Sequence, residues 1–365
     1  MDLTEIRAEC TDIEYKNNYI AYAGDYTIAA KEIVLCLGSV SESIFSEFAQ
    51  LPNFHNYYNT IANIQNESVI IAGTGLTAID LFRSANKNKN KVYMYSRHGF
   101  LPTCITKQNN YIPDWVNWSY IQNHYPKGIS SHKFIEILFK ELQHIGKNSE
   151  YKEAVKILKS STQQMFFSYL QARAMAVDAP FQDTLVYTRP FMHRLWRSFS
   201  HDDRNWFMRN HGAFWAAWRH PIPHEVIEEI KSALDDRSLE IHQAVTQPTF
   251  ANGLFSIEMS NGKKISTKHF IDGTGGSDQI SQQTSLLIQN LLARGFIKPH
   301  PCGGIDVDPL SFNCVSDKPF KNKLFSIGPL NKGALFSTNA FWFNSRCAYI
   351  WARNWYIRNS LDKTQ

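Results

Sequence analysis

Between residues 68 and 97 a β-branched run passes straight into two glycines and then into an apolar pattern of helical period. The stretch reads Ser68-Val69-Ile70-Ile71-Ala72-Gly73-Thr74-Gly75-Leu76-Thr77-Ala78-Ile79-Asp80-Leu81-Phe82. A polar turn, Lys87-Asn88-Lys89-Asn90-Lys91, leads to a second short run, Val92-Tyr93-Met94-Tyr95, which stops at Ser96-Arg97. Strand, glycine turn, helix, turn and strand within about thirty residues predict a βαβ unit. Such a unit needs two parallel strands in one sheet with a helix across one face, so the fold class is α/β.

Gly73-x-Gly75-x-x-Ala78 is the G-x-G-x-x-A form of the dinucleotide fingerprint. The first glycine allows the tight turn, the second lets backbone N–H groups approach a pyrophosphate, and Ala78 is small enough for helix to pack on strand. The N-terminus of the helix adds partial positive charge. Where an acidic residue would hold the ribose of NAD, this chain has Ser96-Arg97. A guanidinium there pairs with a 2′-phosphate in a bidentate manner, which favours NADPH over NADH. The alternative for Arg97 is a solvated surface side chain.

The chain has 365 residues, enough for about two domains. Hydrophobic residues at 43% and charged residues at 19% exclude wholesale disorder. Lys and Arg number 38 against 33 Asp and Glu, a net charge of +5 without any block of five like charges, which argues against a nucleic-acid arm. The six cysteines include no C-x-x-C pair, so a zinc ribbon and a C-x-x-C redox disulfide are excluded. Among 13 histidines there is no H-E-x-x-H, and no metal is expected. With no apolar stretch of spanning length and no basic-then-apolar leader at Met1-Asp2-Leu3-Thr4-Glu5, the expectation is a cytoplasmic protein without nucleic-acid or membrane partners.

Short runs at Tyr19–Tyr22 and Tyr26–Ile28, punctuated by Gly24-Asp25, predict a hairpin, and Glu32–Gly38 fits either a buried strand closing on glycine or the third strand of an ordinary antiparallel meander. Residues 40–66 read as loop. From about 110 to 235 the pattern turns helical, as at Phe134–Leu142 and Ala154–Leu158, and Pro180, Pro190, Pro221 and Pro223 break it into pieces. Strand runs return at Leu239–His242, Leu254–Met259 and Lys264–Ser266, separated by Asn252-Gly253 and Asn261-Gly262, as a second meander that ends at His269-Phe270-Ile271-Asp272-Gly273-Thr274-Gly275-Gly276. A helix at Ser285–Ala293, a last strand at Leu324–Pro329 and an aromatic final helix, with Ser337-Thr338 as its cap, complete the reading. The aromatic final helix, and the run from Phe207 to Trp215, read as packed interior rather than membrane anchor or base-stacking surface. Gly38, Gly275 and Gly328 each follow a strand and mark either further places where a ligand approaches the backbone or simple strand ends.

In this order the sequence resembles the two-dinucleotide-binding flavoproteins of the FAD/NAD(P)-binding family, which includes flavin-dependent urate hydroxylase-like and aspartate N-monooxygenase-like proteins. The resemblance rests on Ile71–Thr77, Tyr95-Ser96-Arg97-His98-Gly99-Phe100-Leu101-Pro102, Trp218-Arg219-His220-Pro221-Ile222-Pro223 and Ile271–Gly275. It continues through Leu292-Ala293-Arg294-Gly295, Asp306-Val307-Asp308 and Leu324–Leu330. It implies nested Rossmann-like domains: a remnant of an FAD domain over 1–60, an NAD(P) domain over 61–275 with the helical insertion at about 110–235, and the C-terminal part of the FAD domain over 276–365. It also implies NADP and FAD as cofactors, with NADPH reducing the flavin and the flavin acting on oxygen or another acceptor. The family's nicotinamide-binding residues carry over to Gly73, Thr74, Gly75, Leu76, Thr77 and Arg97, with Ser96 beside Arg97, and Gly38, Gly275 and Gly328 are the further backbone approaches to a cofactor. Arg219 and His220, in the segment that covers the cleft in relatives, are the candidates to contact an anionic small-molecule substrate, the alternative being a satisfied surface pair.

One departure matters. Family members open with a glycine-rich FAD loop, whereas no glycine precedes Gly24 here. A truncated gene, a second chain supplying the missing segment and a domain that binds NADP alone all stay open. The expected function is therefore an NADPH-linked, FAD-dependent oxidoreductase, with monooxygenation one form of it, or the NADPH-binding part of one. The alternative is a non-enzymatic NADP-binding or interaction module, or an inactive flavoprotein.

Overall fold

A computed structural model describes residues 3–39, 43–56, 61–99, 101–105, 111–145, 172, 180–244, 246–275, 279–318 and 323–361. The expected helix at Ala154–Leu158 lies outside them. The chain divides into two compact units, an outer one of Met1–Glu42, Met192–His201 and Ser277–Gln365 and an inner one of Ser43–Phe191 and Asp202–Gly276. Boundaries are expected at 60/61 and 275/276 with the helical stretch in one piece; the compact units part at 42/43 and 276/277. In the structure a ten-residue excursion, Met192–His201, leaves that stretch and joins the outer unit.

In the outer unit β1 (Cys10–Lys16), β2 (Asn18–Ala23) and β3 (Tyr26–Ala30) form an antiparallel meander, with Gly24 at φ +58 in the tight turn. β4 (Ile33–Leu35) does not continue the meander; it pairs in parallel with β13 (Leu324–Ser326), Ile33 opposite Leu324. Leu35 and Leu324 share one core with Ile13, Tyr19, Leu287, Leu291 and Phe343.

The inner unit is built on a five-stranded sheet of order β5 (Phe54–His55), β12 (His269–Asp272), β6 (Ser68–Ala72), β7 (Lys91–Ser96), β8 (Leu239–Gln243), parallel throughout. Both faces are covered, which is why β6 reads as an unbroken apolar run. On one face Val69, Ile71, Val92 and Met94 meet Ala78, Ile79 and Phe82 of α1 (Leu76–Lys87) and Ile227 and Ile230 of the helix His224–Asp235. On the other, Ile70, Ala72, Tyr95 and Phe270 pack on Phe255, Ile257 and Ile265 of an antiparallel meander, β9 (Thr249–Ala251), β10 (Leu254–Glu258) and β11 (Lys264–Thr267). Asn252 (φ +52) and Gly253 (φ +77) make the β9–β10 turn expected from their sequence. Helices α2 (Trp118–His124), α3 (Ser131–His144), α4 (Pro180–Tyr187), α5 (Met192–Ser198), α6 (His201–Arg219) and α7 (His224–Asp235) fill the stretch between β7 and β8, with α5 in the excursion; α8 (Leu286–Ala293), α9 (Lys332–Leu335) and α10 (Phe341–Leu361) follow β12.

Three expectations are corrected. β8 belongs to the parallel sheet and not to the second meander. Residues 40–66 include the edge strand β5. Ser337 and Thr338 do not cap α10: the Thr338 hydroxyl donates to the Pro329 carbonyl at 3.0 Å, and the helix begins at Phe341.

Candidate nucleotide site at the carboxyl end of the inner sheet

From β6 the chain steps outward to β7 and β8 on one side, while β12 lies on the other. The order reverses between β6 and β12, and in open α/β sheets the crevice beyond the carboxyl ends of such strands receives ligands. Gly73 turns the chain there at φ +111 while its N–H donates to the Tyr95 carbonyl at 2.7 Å. A Cβ on Gly73 would stand 2.6 Å from the Gly273 carbonyl oxygen, and one on Gly273 would stand 3.0 Å from the Ala78 Cβ. These two glycines let β6, β12 and α1 close on one another.

Gly75 differs. It caps α1 in an extended conformation (φ −83, ψ −169), no side chain caps the helix, no acidic residue occupies the first turn, and a Cβ there would meet nothing within 4 Å. The first N–H groups of α1 thus have no side-chain cap, and the space beside Gly75 is open, so an anion can approach the backbone there. Leu76 is exposed and Thr77 half-buried at the same turn, and a Cβ on Gly275, which follows β12 at φ +90, would stand 4.0 Å from the Thr77 hydroxyl.

Ser96 lies at the end of β7. Its hydroxyl is 2.8 Å from that of Thr74 and accepts from the Gly99 amide at 2.9 Å, so it fastens the glycine turn to the turn after β7. Arg97 between them is exposed, with its carbonyl held by Gln243 at 2.8 Å and its guanidinium in no ion pair among the described residues. Eight of the expected site residues, Gly275 among them, thus meet at one end of one sheet.

Sequence reasoning missed the carboxylate there. Asp272 closes β12 and accepts from the Thr274 amide at 2.8 Å, the Thr274 hydroxyl at 2.6 Å and, in a short bond, the hydroxyl of Ser43. Tyr95 lies nearby with its hydroxyl buried and unpartnered among the described residues; burial first, and the Asp272 charge second, push its phenol well above the usual range. The Asp-Gly-Thr-Gly string was visible, but nothing in it announces a serine 229 residues away.

Arg219 and His220 stand apart from this cluster in character. Arg219 is 2% exposed, and burial lowers its guanidinium to about 9 with Arg189 as the second cause. Burial also lowers His220 to about 4, Arg219 adding to it, and its Nδ1 lies 3.1 Å from the Ala216 carbonyl one helical turn back.

In the outer unit Gly38 (φ +70) and Gly328 (φ +132) follow the adjacent parallel strands β4 and β13, and a Cβ on either would meet nothing within 4 Å. That is room for a ligand against the backbone. The described residues of this unit contain no second G-x-G turn opening a helix, so they do not by themselves make a pyrophosphate cradle for FAD. They include no group of three potential metal ligands and no helix long and apolar enough to cross a membrane.

No family model and no curated protein matches the sequence. Solved structures do match in fold. An ornithine hydroxylase from Pseudomonas aeruginosa superposes with a TM-score of 0.50 at 13% identity, over 90% of this chain and 64% of that one. An ornithine N-hydroxylase from Kutzneria sp. 744, solved with reduced FAD, NADP+ and L-ornithine, gives 0.54 at 12% identity, over 96% of this chain and 72% of that one. The fold is that of the Rossmann-type FAD/NAD(P)-binding flavoproteins. This chain spans less than two thirds of the length of the first of these neighbours.

Proposed function

We propose that the chain is an NADPH-linked, FAD-dependent oxidoreductase of the kind that includes monooxygenases, or the NADPH-binding part of one, acting with a small-molecule substrate. The observation that carries this reading is the uncapped N-terminus of α1 beside Gly75, open where a side chain would stand. There the amides of the first turn would hold the pyrophosphate and the exposed Arg97 the 2′-phosphate, with Ser96 holding the Arg97 turn in place. NADPH would supply a hydride; the residues of the site bind and orient it. The Gly38 and Gly328 turns support a flavin only if something else provides its pyrophosphate cradle, so no step is assigned through FAD. A second reading, a non-enzymatic module that binds NADP alone, uses the same open turn at Gly75.

Titration calorimetry with NADPH and NADH tests the nucleotide assignment. NADPH should bind more tightly, and Arg97→Ala should weaken it by about 10- to 100-fold, as loss of a charge-assisted pair does, while leaving NADH nearly unchanged. Equal affinities in the unmodified chain would sink the assignment. Flavin absorption that survives desalting would separate the oxidoreductase from the NADP-only module.

A further inference from the structure

The final helix α10 has two different faces. Phe343 and Cys347, 2% and 4% exposed, anchor it in the outer core, with Ile350 and Trp351 packed beside them. On the far side Trp342, Ser345, Tyr349, Ala352 and Tyr356 follow one another at spacings of three and four, so they form a single straight stripe. All five are exposed, Trp342 to 42% and Tyr349 and Tyr356 each to 68%, so this face of the helix is not the packed interior that its aromatic run predicts. An aromatic ring therefore stands at every seventh position with a small residue midway, a row of knobs alternating with holes about 21 Å long. Arg346 and Arg353 line one flank of the stripe, exposed and in no ion pair among the described residues, and α10 contains no acidic residue at all.

We infer that this stripe docks an amphipathic helix of a partner polypeptide, one whose small and branched apolar residues interleave with the three rings and whose Glu or Asp residues meet Arg346 and Arg353. The heptad spacing selects a helix, because knobs that alternate with holes are complementary to another helix and to little else. The flank selects an acidic one. A second copy of this chain fits poorly, because an antiparallel copy of α10 would set Arg346 and Arg353 of the two chains face to face. A lipid surface fits less well: beside the stripe the exposed apolar side chains are Phe341, Ala348, Trp355 and Ile357, mostly aromatic or small rather than the continuous aliphatic face of an interfacial helix, and Ser345 interrupts the stripe itself.

The test uses the full chain and two fluorescein-labelled helical peptides with identical Leu/Ala seams, one flanked by Glu and the other by Lys. Fluorescence anisotropy should show the Glu peptide binding at least about tenfold more tightly than the Lys peptide. The double variant Arg346→Glu, Arg353→Glu should reverse that order, and Tyr349→Ser should weaken both peptides without moving the thermal midpoint, since its ring is exposed. Equal binding of the two peptides, or an order unchanged by charge reversal, would overturn the inference. So would light scattering that shows a dimer abolished by Tyr349→Ser, which would give the stripe to a second copy. Sedimentation with phosphatidylglycerol vesicles that is lost in the double variant, in the absence of peptide binding, would overturn it in favour of lipid.

Discussion

Two glycines two residues apart do opposite work. Gly73 is required by the fold, since its positive φ and the nearby Gly273 carbonyl leave no place for a Cβ. Gly75 has an ordinary φ and open space around it, so the fold tolerates a side chain there, whereas a nucleotide bound as proposed would not. Gly73→Ala should therefore cost about 2–4 kcal/mol of stability, through strain and overpacking together. Gly75→Val should leave the denaturation midpoint in place and abolish NADPH binding. Urea titration and calorimetry on the two variants check both halves, and a Gly75→Val protein that still bound NADPH would remove the pyrophosphate from this turn. Both glycines were legible because the period of the sequence changes from two to 3.6 across them. Ser96 was legible as a position, but its bond to Thr74 was not, since a hydroxyl carries no sign of what it touches.

The elements show where the sequence falls silent. β8 alternates Leu239, Glu240, Ile241, His242 because an edge strand keeps one face partly wet, and alternation alone does not separate an antiparallel strand from the edge of a parallel sheet. β5 has two residues and no period to read. Helix α3 has a clear period, yet Glu141 on its buried side looks like a misplaced charge. In the structure its carboxylate accepts from the amides of Asp114, Trp115 and Val116 at 3.1, 2.7 and 3.0 Å and from the Tyr111 hydroxyl at 2.5 Å, and it is 0% exposed. One carboxylate thus pins the segment before α2 to α3. Glu141→Gln turns an amide NH2 toward a row of N–H donors, and its expected cost is about 2–4 kcal/mol in urea unfolding, with the slope unchanged. A loss below about 1 kcal/mol would mean that the segment is held by other contacts.

At the scale of the whole molecule, both units carry histidines that burial keeps neutral. Burial lowers His55 to about 4, its neighbour His269 adding to it; burial lowers His193 of the outer unit to about 4, with Arg346, Arg194 and Arg197 as further causes; His220 completes the set. The unfolded chain takes up these protons near pH 6.5 while the folded chain refuses them until about pH 4, so the unfolded state binds more protons in between and stability falls as pH falls through that window. Carboxylates whose pKa is depressed, such as Asp12 beside Arg294, lose their contribution only below the ordinary carboxylate range, so the upper part of the window reports the histidines. The urea midpoint should drop steadily from pH 7 to pH 5. A flat profile would show that these rings become hydrated without unfolding.

The pairing of β4 with β13 also sets an order of events on the ribosome. Ile33 leaves the exit tunnel about 290 residues before its partner Leu324, a delay of roughly 15 to 60 s at ordinary elongation rates. During that time the inner unit is finished, while the first strands of the outer one wait with a bare sheet edge. Nascent chains of this protein should therefore depend on a chaperone for one half and not for the other, and a ribosome stalled before Leu324 would release a product in which that edge is never closed.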